Sequence, residues 1–410
     1  MPTSFSFKFD TPAYKGVTSF ETGLFIDGKF VDGSEGTTIE VINPSSSFFN
    51  PAMSSKLRRY TCSTVSEGTP KDVDRAVEAA QKAFDTWGLN APGSQRANIL
   101  WKLAQVMEDA ADELAALESL DNGKTYSWSH GTDVPCTMRV GPTNTVAKPL
   151  RCSFSNLSPA GVRLTGIFVR RTKIPLRILA MSPLELLDKS FLVSSPSLAE
   201  SNPTDHSSRP GNFPLLMFIW KIAPGVYDEF LQKFTEKAKS IKIGDPFDEG
   251  IDQGPQISKI QYDRIMGYID SGKADGAHVH LGGGRVGEEG YFIEPTIFTN
   301  VSAEMKIVKE EIFGPVGVII KFEDEEDIVR QANDTTYGLA AAVFSRDINQ
   351  AIRTTHKLKA GTVWVNCYNT FYPSVPFGGY KQSGIGRELG EYALSNYTNV
   401  KAVQINLGNA

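Results

Sequence analysis

The chain has 410 residues, 40% of them hydrophobic and 22% charged, with a formal net charge of -5. A chain of that length and composition is globular, with a large core spread over two or three domains. No excess of basic residues suits a polyanion, and no apolar run in the sequence reaches the length of a membrane span.

The first ten residues have neither the apolar core of a secretory signal nor the arginine-rich character of a transit peptide, which points to the cytoplasm. The four cysteines, Cys62, Cys136, Cys152 and Cys367, form no Cys-x-x-Cys pair. That argues against a zinc ribbon and against a secreted disulfide framework. None of the five histidines makes an i, i+4 pair. His278 and His280 would share one face of a strand, which reads as a solvated edge, so no metal is expected.

In chain order, Gly23–Val31 alternates around Asp27-Gly28, a tight-hairpin dipeptide. Thr38–Ile42 adds a strand closed by Asn43-Pro44. Ser45–Ser66 then clusters serine and contains no acidic residue. Thr69 suits a helix N-cap, Pro70 the first helical position and Asp72 the positive helix end. Val73, Ala76, Val77, Ala80 and Phe84 recur at helical spacing. Ser94 is expected to cap one longer helix whose apolar face carries Leu100, Leu103, Met107, Leu114 and Leu117. Asn122-Gly123 stops it.

From Val134 to Leu184 there is again no Asp or Glu. Neither a helical nor a strand period persists, and Ser and Pro crowd Ser182–Pro210. Two readings of the residues are a basic, anion-binding insert and a disordered linker. Asn212–Gly225 is an apolar run that would suit the start of a buried helix. Tyr227–Ile241 is amphipathic at helical period, and Ser258 opens another helix ending at Asp275-Gly276. Pro315–Lys321, Asp324–Asn333, Leu339–Phe344, Ile348–Lys359 and Thr362–Asn366 then read strand, helix, strand, helix, strand. That order predicts a parallel sheet covered by helices. Val400–Leu407 alternates like an edge strand. Gly282-Gly283-Gly284 reads as a turn.

Four segments, Glu310–Val316, Pro376–Gly390, Asn212–Pro214 and Leu120–Lys124, together resemble the aldehyde dehydrogenase family, most closely its fungal cytosolic members. Glu310-Glu311-Ile312-Phe313-Gly314-Pro315-Val316 is similar to the segment that holds the nicotinamide ribose; on composition alone it is a helix end and a Gly-Pro turn. The resemblance gives Glu311 the ribose hydroxyls and Phe313 the packing against sugar and nicotinamide. Pro376-Phe377-Gly378-Gly379-Tyr380-Lys381-Gln382-Ser383-Gly384-Ile385-Gly386-Arg387-Glu388-Leu389-Gly390 is similar to the family's C-terminal signature, with Phe377 on the aldehyde tunnel. Asn212-Phe213-Pro214 is similar to the oxyanion segment. It implies that Asn212 donates to the developing oxyanion and that Phe213, Met217 and Trp220 line the substrate tunnel. The family has Trp where this chain has Gly211. Leu120-Asp121-Asn122-Gly123-Lys124 also resembles the family.

The resemblance implies an α/β fold: a remnant of the aldehyde dehydrogenase fold. Its parallel-sheet catalytic domain is largely kept, its doubly wound dinucleotide-binding domain is incomplete, and oligomerisation strands remain. The expected division is 1–131 for the start of the dinucleotide-binding domain with an insert at 45–65, and 132–211 for an irregular segment outside the family pattern. Residues 212–225 carry the oxyanion and tunnel segment, 226–390 the incomplete catalytic domain, and 391–410 the oligomerisation segment. It further implies NAD or NADP as cofactor, a small aldehyde as substrate and a homo-oligomer, with no nucleic acid or membrane partner.

The family oxidises an aldehyde to a carboxylic acid through a cysteine thioester, with NAD(P)+ taking hydride and a glutamate activating water. Its nucleophile motif, roughly Gly-Gln-x-Cys, is not in this sequence, nor is the Glu-Leu-Gly-Gly-Lys motif of the base. The Gly-rich segment and lysine of the cofactor's adenosine side are missing too. The chain is therefore expected to be catalytically defective, as a pseudoenzyme, an assembly partner or the product of a mis-spliced or frameshifted gene model. In the last case, the codons of Gly141–Asn144 read one base earlier can give Trp-Ala-Asp-Lys, and those of Pro203–Ser207 read one base later can give Arg-Gln-Ile-Ile-Pro. Fungal members carry similar runs at these places.

Overall fold

The structure is a computed structural model, and it describes residues 4–46, 61–134, 190–193, 219–367, 370–372, 374–396 and 398–408. Two antiparallel pairs open the chain: β1 (Ser4–Asp10) with β2 (Lys15–Glu21), and β3 (Leu24–Ile26) with β4 (Lys29–Val31). Asp27 and Gly28 turn the second hairpin at φ of 51° and 80°, the left-handed values that a primed two-residue turn needs. β5 (Thr38–Ile42) pairs antiparallel with β6 (Thr61–Ser66).

Thr69 precedes α1 (Pro70–Phe84), and Asp72 accepts the Thr69 backbone N–H at 3.1 Å, one half of a capping box. The apolar stripe of α1 does not face inward: Val73 and Val77 are 58% and 59% exposed and Phe84 is exposed as well. Among the described residues no layer covers that side.

One long helix was expected from Ser94, but there are two. α2 (Gly93–Asp109) ends where Ala110 takes φ -112° and ψ 18°, and α3 (Ala111–Asn122) follows. The cap position of α2 is Pro92, not Ser94, and it makes no side-chain cap bond. The break has a packing reason. α3 is buried from Leu114 to Leu120 on nearly every side, whereas α2 buries only Leu103 and Met107, so the two need different paths. Gly123, at φ 81°, closes α3 in the left-handed conformation.

Among the described residues the main sheet has seven strands: β7 (Ser190–Val193), β8 (Ile219–Ile222), β9 (His278–Leu281), β10 (Thr296–Thr299), β11 (Val316–Lys321), β12 (Ala340–Phe344) and β13 (Thr362–Val365). Their order is β13-β12-β7-β8-β11-β10-β9, and every neighbouring pair is parallel except β10 with β9. The longer helices beside it among the described residues are α4 (Tyr227–Lys239), α5 (Lys259–Ala274), α6 (Glu325–Asn333) and α7 (Ile348–Lys357). Ser258 caps α5 by accepting from the Gln261 backbone N–H. β11, α6, β12, α7 and β13 follow the alternation read from the sequence.

Two placements differ from the expectation. Ile219–Ile222, within a run that suited a helix start, is a central strand, and Ser190–Val193 lies between it and β12. A short apolar run cannot be told from a buried helix by period alone; here the strands on either side decide. β8 alternates across the sheet. Ile219 joins Val316, Val318, Ile265 and Ile269 on one face, and Trp220 and Ile222 join Ile319, Phe230 and Phe234 on the other.

The N-terminal region packs on the segment after α4. Phe9 meets Phe247 with ring centroids 5.9 Å apart, and the Tyr126 N–H donates to the Pro246 carbonyl at 2.8 Å. Among the described residues, 4–134 hold antiparallel pairs and helices but no parallel sheet, consistent with an incomplete dinucleotide-binding domain. Val400, Val403, Ile405 and Leu407, in the run that alternates like an edge strand, are exposed, and within this chain no sheet of the described residues includes them. Alternation makes a strand only where a neighbour takes its backbone hydrogen bonds. Among the described residues no helix is long and apolar enough to cross a membrane.

Candidate functional site

The first wall of the site is the loop that leads into β11. A one-turn helix, Lys306–Lys309, delivers the chain to Glu310. Glu311 is 4% exposed and Ile312 is buried beside it. Phe313 then takes φ 53°, left-handed for a bulky residue, and its side chain is 41% exposed. Gly314 is fixed by closeness: a Cβ there would lie 2.5 Å from Ile265 Cδ1.

The second wall is the Gly-rich C-terminal segment. Phe377 and Glu388 exchange two backbone hydrogen bonds of 2.7 Å. The Phe377 ring meets Phe371 edge-on at 4.9 Å, and Phe371 meets Trp364 of β13 edge-on at 5.6 Å. Trp364 Nε1 donates to the Thr370 carbonyl at 2.9 Å, which anchors that aromatic row. Lys381 Nζ donates to the carbonyls of Asn333 and Thr335 at 3.0 and 2.9 Å, and the Gly338 N–H donates to Ser383 Oγ at 3.0 Å. Gly361 has to be glycine, because a Cβ would stand 1.8 Å from the Gly378 carbonyl oxygen.

These contacts stitch the segment to the residues just before β12 and β13. Glu310–Gly314 stands just before β11. Because β11, β8, β7, β12 and β13 are mutually parallel, both walls belong to the same, N-terminal end of the sheet. Four strand spacings separate β11 from β13, about 19 Å at about 4.8 Å each. β8 starts at that same end.

Asn212, Phe213 and Met217, expected at the oxyanion and tunnel positions, lie outside the described residues, just before β8 in sequence. Trp220, expected on the tunnel, is a core residue. It is 2% exposed, and its ring packs against Phe230 and Phe234, each with centroids 5.5 Å away. The strand conformation of β8 turns it towards α4, where a helix would have placed it differently.

Lys221 belongs to none of the family motifs. It is 5% exposed on the central strand β8, and burial holds its ammonium down to about 8, with the Asp334 carboxylate opposing that shift. The signal was available: a lysine inside a four-residue apolar strand has to be buried once both neighbouring strands are in place.

Of the cysteines, Cys62 is half-buried beside the aromatic cluster of Phe5, Phe9 and Phe20, and Cys367 is exposed. His280 Nε2 lies 2.9 Å from Thr235 Oγ1, which itself donates to the Leu231 carbonyl. Among the described residues no group of three or more metal-ligating side chains occurs.

The exposed Phe313 ring fits the nicotinamide end of NAD(P) by offering a free face. Glu311 fits the ribose by position only, because its side chain is buried and already engaged. Of the two side chains, only Phe313 is open to such a group.

The family model described as the aldehyde dehydrogenase family matches residues 30–143 and 222–403. An aldehyde dehydrogenase of Agaricus bisporus is 43% identical over 508 residues, covering 99% of this chain and 99% of the relative. One of Aspergillus niger is 38% identical over 488 residues, covering 95% and 96% respectively. The solved NAD+ complex of an aldehyde dehydrogenase from Bacillus cereus superimposes with a TM-score of 0.76 at 29% identity, covering 95% of this chain and 97% of that one.

Proposed function

This chain belongs to the aldehyde dehydrogenase family, and from that premise we propose that it is a member which does not itself oxidise aldehydes. Family chemistry converts an aldehyde, NAD(P)+ and water to a carboxylic acid and NAD(P)H. The observation that carries the proposal is the absence from the sequence of both the Gly-Gln-x-Cys and the Glu-Leu-Gly-Gly-Lys motifs. Without the first, no thiolate stands ready to attack the carbonyl; without the second, no carboxylate activates water. Removing one oxyanion donor alone costs about a hundred- to a thousand-fold in rate, and losing nucleophile and base together leaves far less.

What remains is a set of pocket walls: Phe313 and Glu311 on one side, Phe377 on the other, with Asn212, Phe213 and Met217 assigned to the oxyanion and tunnel by resemblance. Trp220 keeps its sequence match but is used in the core. The 508-residue span of the alignment with the Agaricus bisporus relative exceeds the 410 residues of this chain, so it runs through gaps here. That supports a chain from which internal family residues have been lost. The family match is interrupted between 143 and 222, which supports an irregular segment over the later part of 132–211. The protein is cytoplasmic in this reading, with nicotinamide nucleotides and small aldehydes as its ligands and a second copy of itself as partner.

Mixing the purified full chain with NAD+ or NADP+ and propanal, and following NADH or NADPH absorbance, tests the proposal. No formation above the protein-free rate is expected. Steady turnover would overturn it. A fluorescence titration with NAD+ then separates a chain that still holds nucleotide from one that does not.

A further inference from the structure

β9 is the last strand of the main sheet, at the edge opposite β13. It carries two imidazoles, His278 and His280, with ring centroids 6.3 Å apart and 71° between the ring planes. Side chains two apart on a strand share one face. The pair is not evenly solvated: His278 is exposed, whereas His280 is half-buried against α4.

α4 fixes the protonation of the inner ring. The hydroxyl of Thr235 has a single proton, and it goes to the Leu231 carbonyl at 2.6 Å. Thr235 Oγ1 therefore accepts from His280 Nε2, 2.9 Å away, and Nε2 is the protonated nitrogen. Burial first, then His278 and Lys239, hold the His280 pKa below its ordinary 6.5, so the ring is neutral near pH 7. Nδ1 keeps its lone pair. A neutral imidazole whose other N–H is tied to a fixed acceptor is oriented as metal-ligating histidines are.

We infer that His278 and His280 form a two-imidazole site for a divalent cation of the Ni2+, Cu2+ and Zn2+ class, with His280 Nδ1 as the inner ligand and water completing the shell. Imidazole nitrogens bind such ions at about 2.0–2.1 Å, so two rings on one ion stand roughly 5 Å apart, and the exposed His278 has to swing inward by about 1 Å. Among the described residues no cluster of three ligating side chains occurs, and the ammonium of Lys239, one turn beyond Thr235 on α4, opposes a bound cation. The ion is therefore exchangeable, not a fixed part of the fold. Nothing in this site depends on whether the chain oxidises aldehydes.

Ni2+ is the probe, because cysteine thiols take Zn2+ and copper and this chain has four of them. Calorimetric titration of the full chain is expected to show a Ni2+-binding event that His278→Gln weakens about tenfold or more, since the second imidazole no longer acts as a tethered ligand. His280→Gln should do the same, and His356→Gln, at an exposed histidine of α7, should not. Thr235→Val keeps the shape of the side chain and removes the acceptor; it should weaken binding about tenfold with both imidazoles in place. His278→Gln is the decisive variant, because that side chain is exposed and its replacement leaves the packing intact. Equal Ni2+ affinity in wild type and His278→Gln overturns the inference, as does the absence of binding by wild type. Undiminished affinity in Thr235→Val overturns the assignment of Nδ1 as the inner ligand.

Discussion

Asp72 Oδ2 accepts the backbone N–H of Ser34 at 3.0 Å, tying the start of α1 to the loop after β4. The same oxygen accepts from Ser34 Oγ at 3.0 Å, from the Thr69 N–H at 3.1 Å and from Thr69 Oγ1 at 3.0 Å, while Oδ1 takes Arg75 Nη1 at 2.9 Å. The backbone hydrogen bonds from Ser34 and Thr69 are the chief causes that hold this carboxyl well below its ordinary 3.8. A carboxyl whose pKa is lower in the folded chain adds stability above the unfolded value and loses it as pH falls towards the folded one. Asp72→Ala is therefore expected to melt several degrees below wild type at pH 7. The gap should narrow steadily as pH falls below about 4. Calorimetry across that range checks this; a gap as wide at pH 2 as at pH 7 contradicts the account.

Lys221 has the opposite sign. Burial on β8 lowers its pKa from 10.5 to about 8, so the unfolded chain holds the proton more firmly than the folded one. Folding then carries a penalty that is complete below about pH 8 and fades as pH rises towards 10.5. At about 1.36 kcal/mol per unit the penalty is roughly 3 kcal/mol. Lys221→Met, a volume-matched apolar replacement, should stabilise the chain at pH 7 by an amount of that order and by much less at pH 10. Urea midpoints of both proteins at the two pH values are the measurement. A destabilised Lys221→Met at pH 7 would mean that the ammonium has a favourable role in the fold.

Much of this architecture could be read from local chemistry. Asp27-Gly28 specified its hairpin, Thr69-Pro70 the start of α1, and the alternation from β11 to β13 the parallel sheet, because each is decided by a few adjacent residues. The misreadings share a different cause. Helical spacing could not reveal the break at Ala110, since Met107 and Leu114 are seven apart and fit one continuous helix as well as two broken ones. Ile219–Ile222 became a strand because β11 and β7 flank it, which no window of its own sequence reveals. Trp220 kept the family's residue type but not its expected place for the same reason. At the site, the family motifs pick out Glu311, Phe313 and Phe377 as the positions to test, whereas the hydrogen bond from Gln261 to the Phe313 carbonyl joins residues 52 apart, and only the fold brings the two together.

Trp220 offers a direct test of core against tunnel. It stands between β8 and α4, with Phe230 and Phe234 themselves stacked 5.4 Å apart. As a core residue, Trp220→Ala should cost about 3–5 kcal/mol, read as a lowered urea midpoint. A residue lining an open tunnel would leave that midpoint nearly unchanged. A loss below about 1 kcal/mol would return Trp220 to the substrate wall.

The exposed stripe of α1 carries the last expectation. Val73, Val77 and Phe84 lie on one side of the helix, and all three are exposed, as is Trp101 of α2. Apolar surface is worth about 25 cal/mol per Å² when removed from water, so such a stripe drives association unless something covers it. The purified chain should bind an apolar probe dye strongly and lose solubility as concentration rises. Val73→Glu with Val77→Lys should reduce dye binding and raise the soluble fraction with little change in melting temperature, because neither side chain is buried. A sharp melt with no dye uptake by wild type would show that the stripe is covered in solution. A large drop in melting temperature in the double variant would show the same.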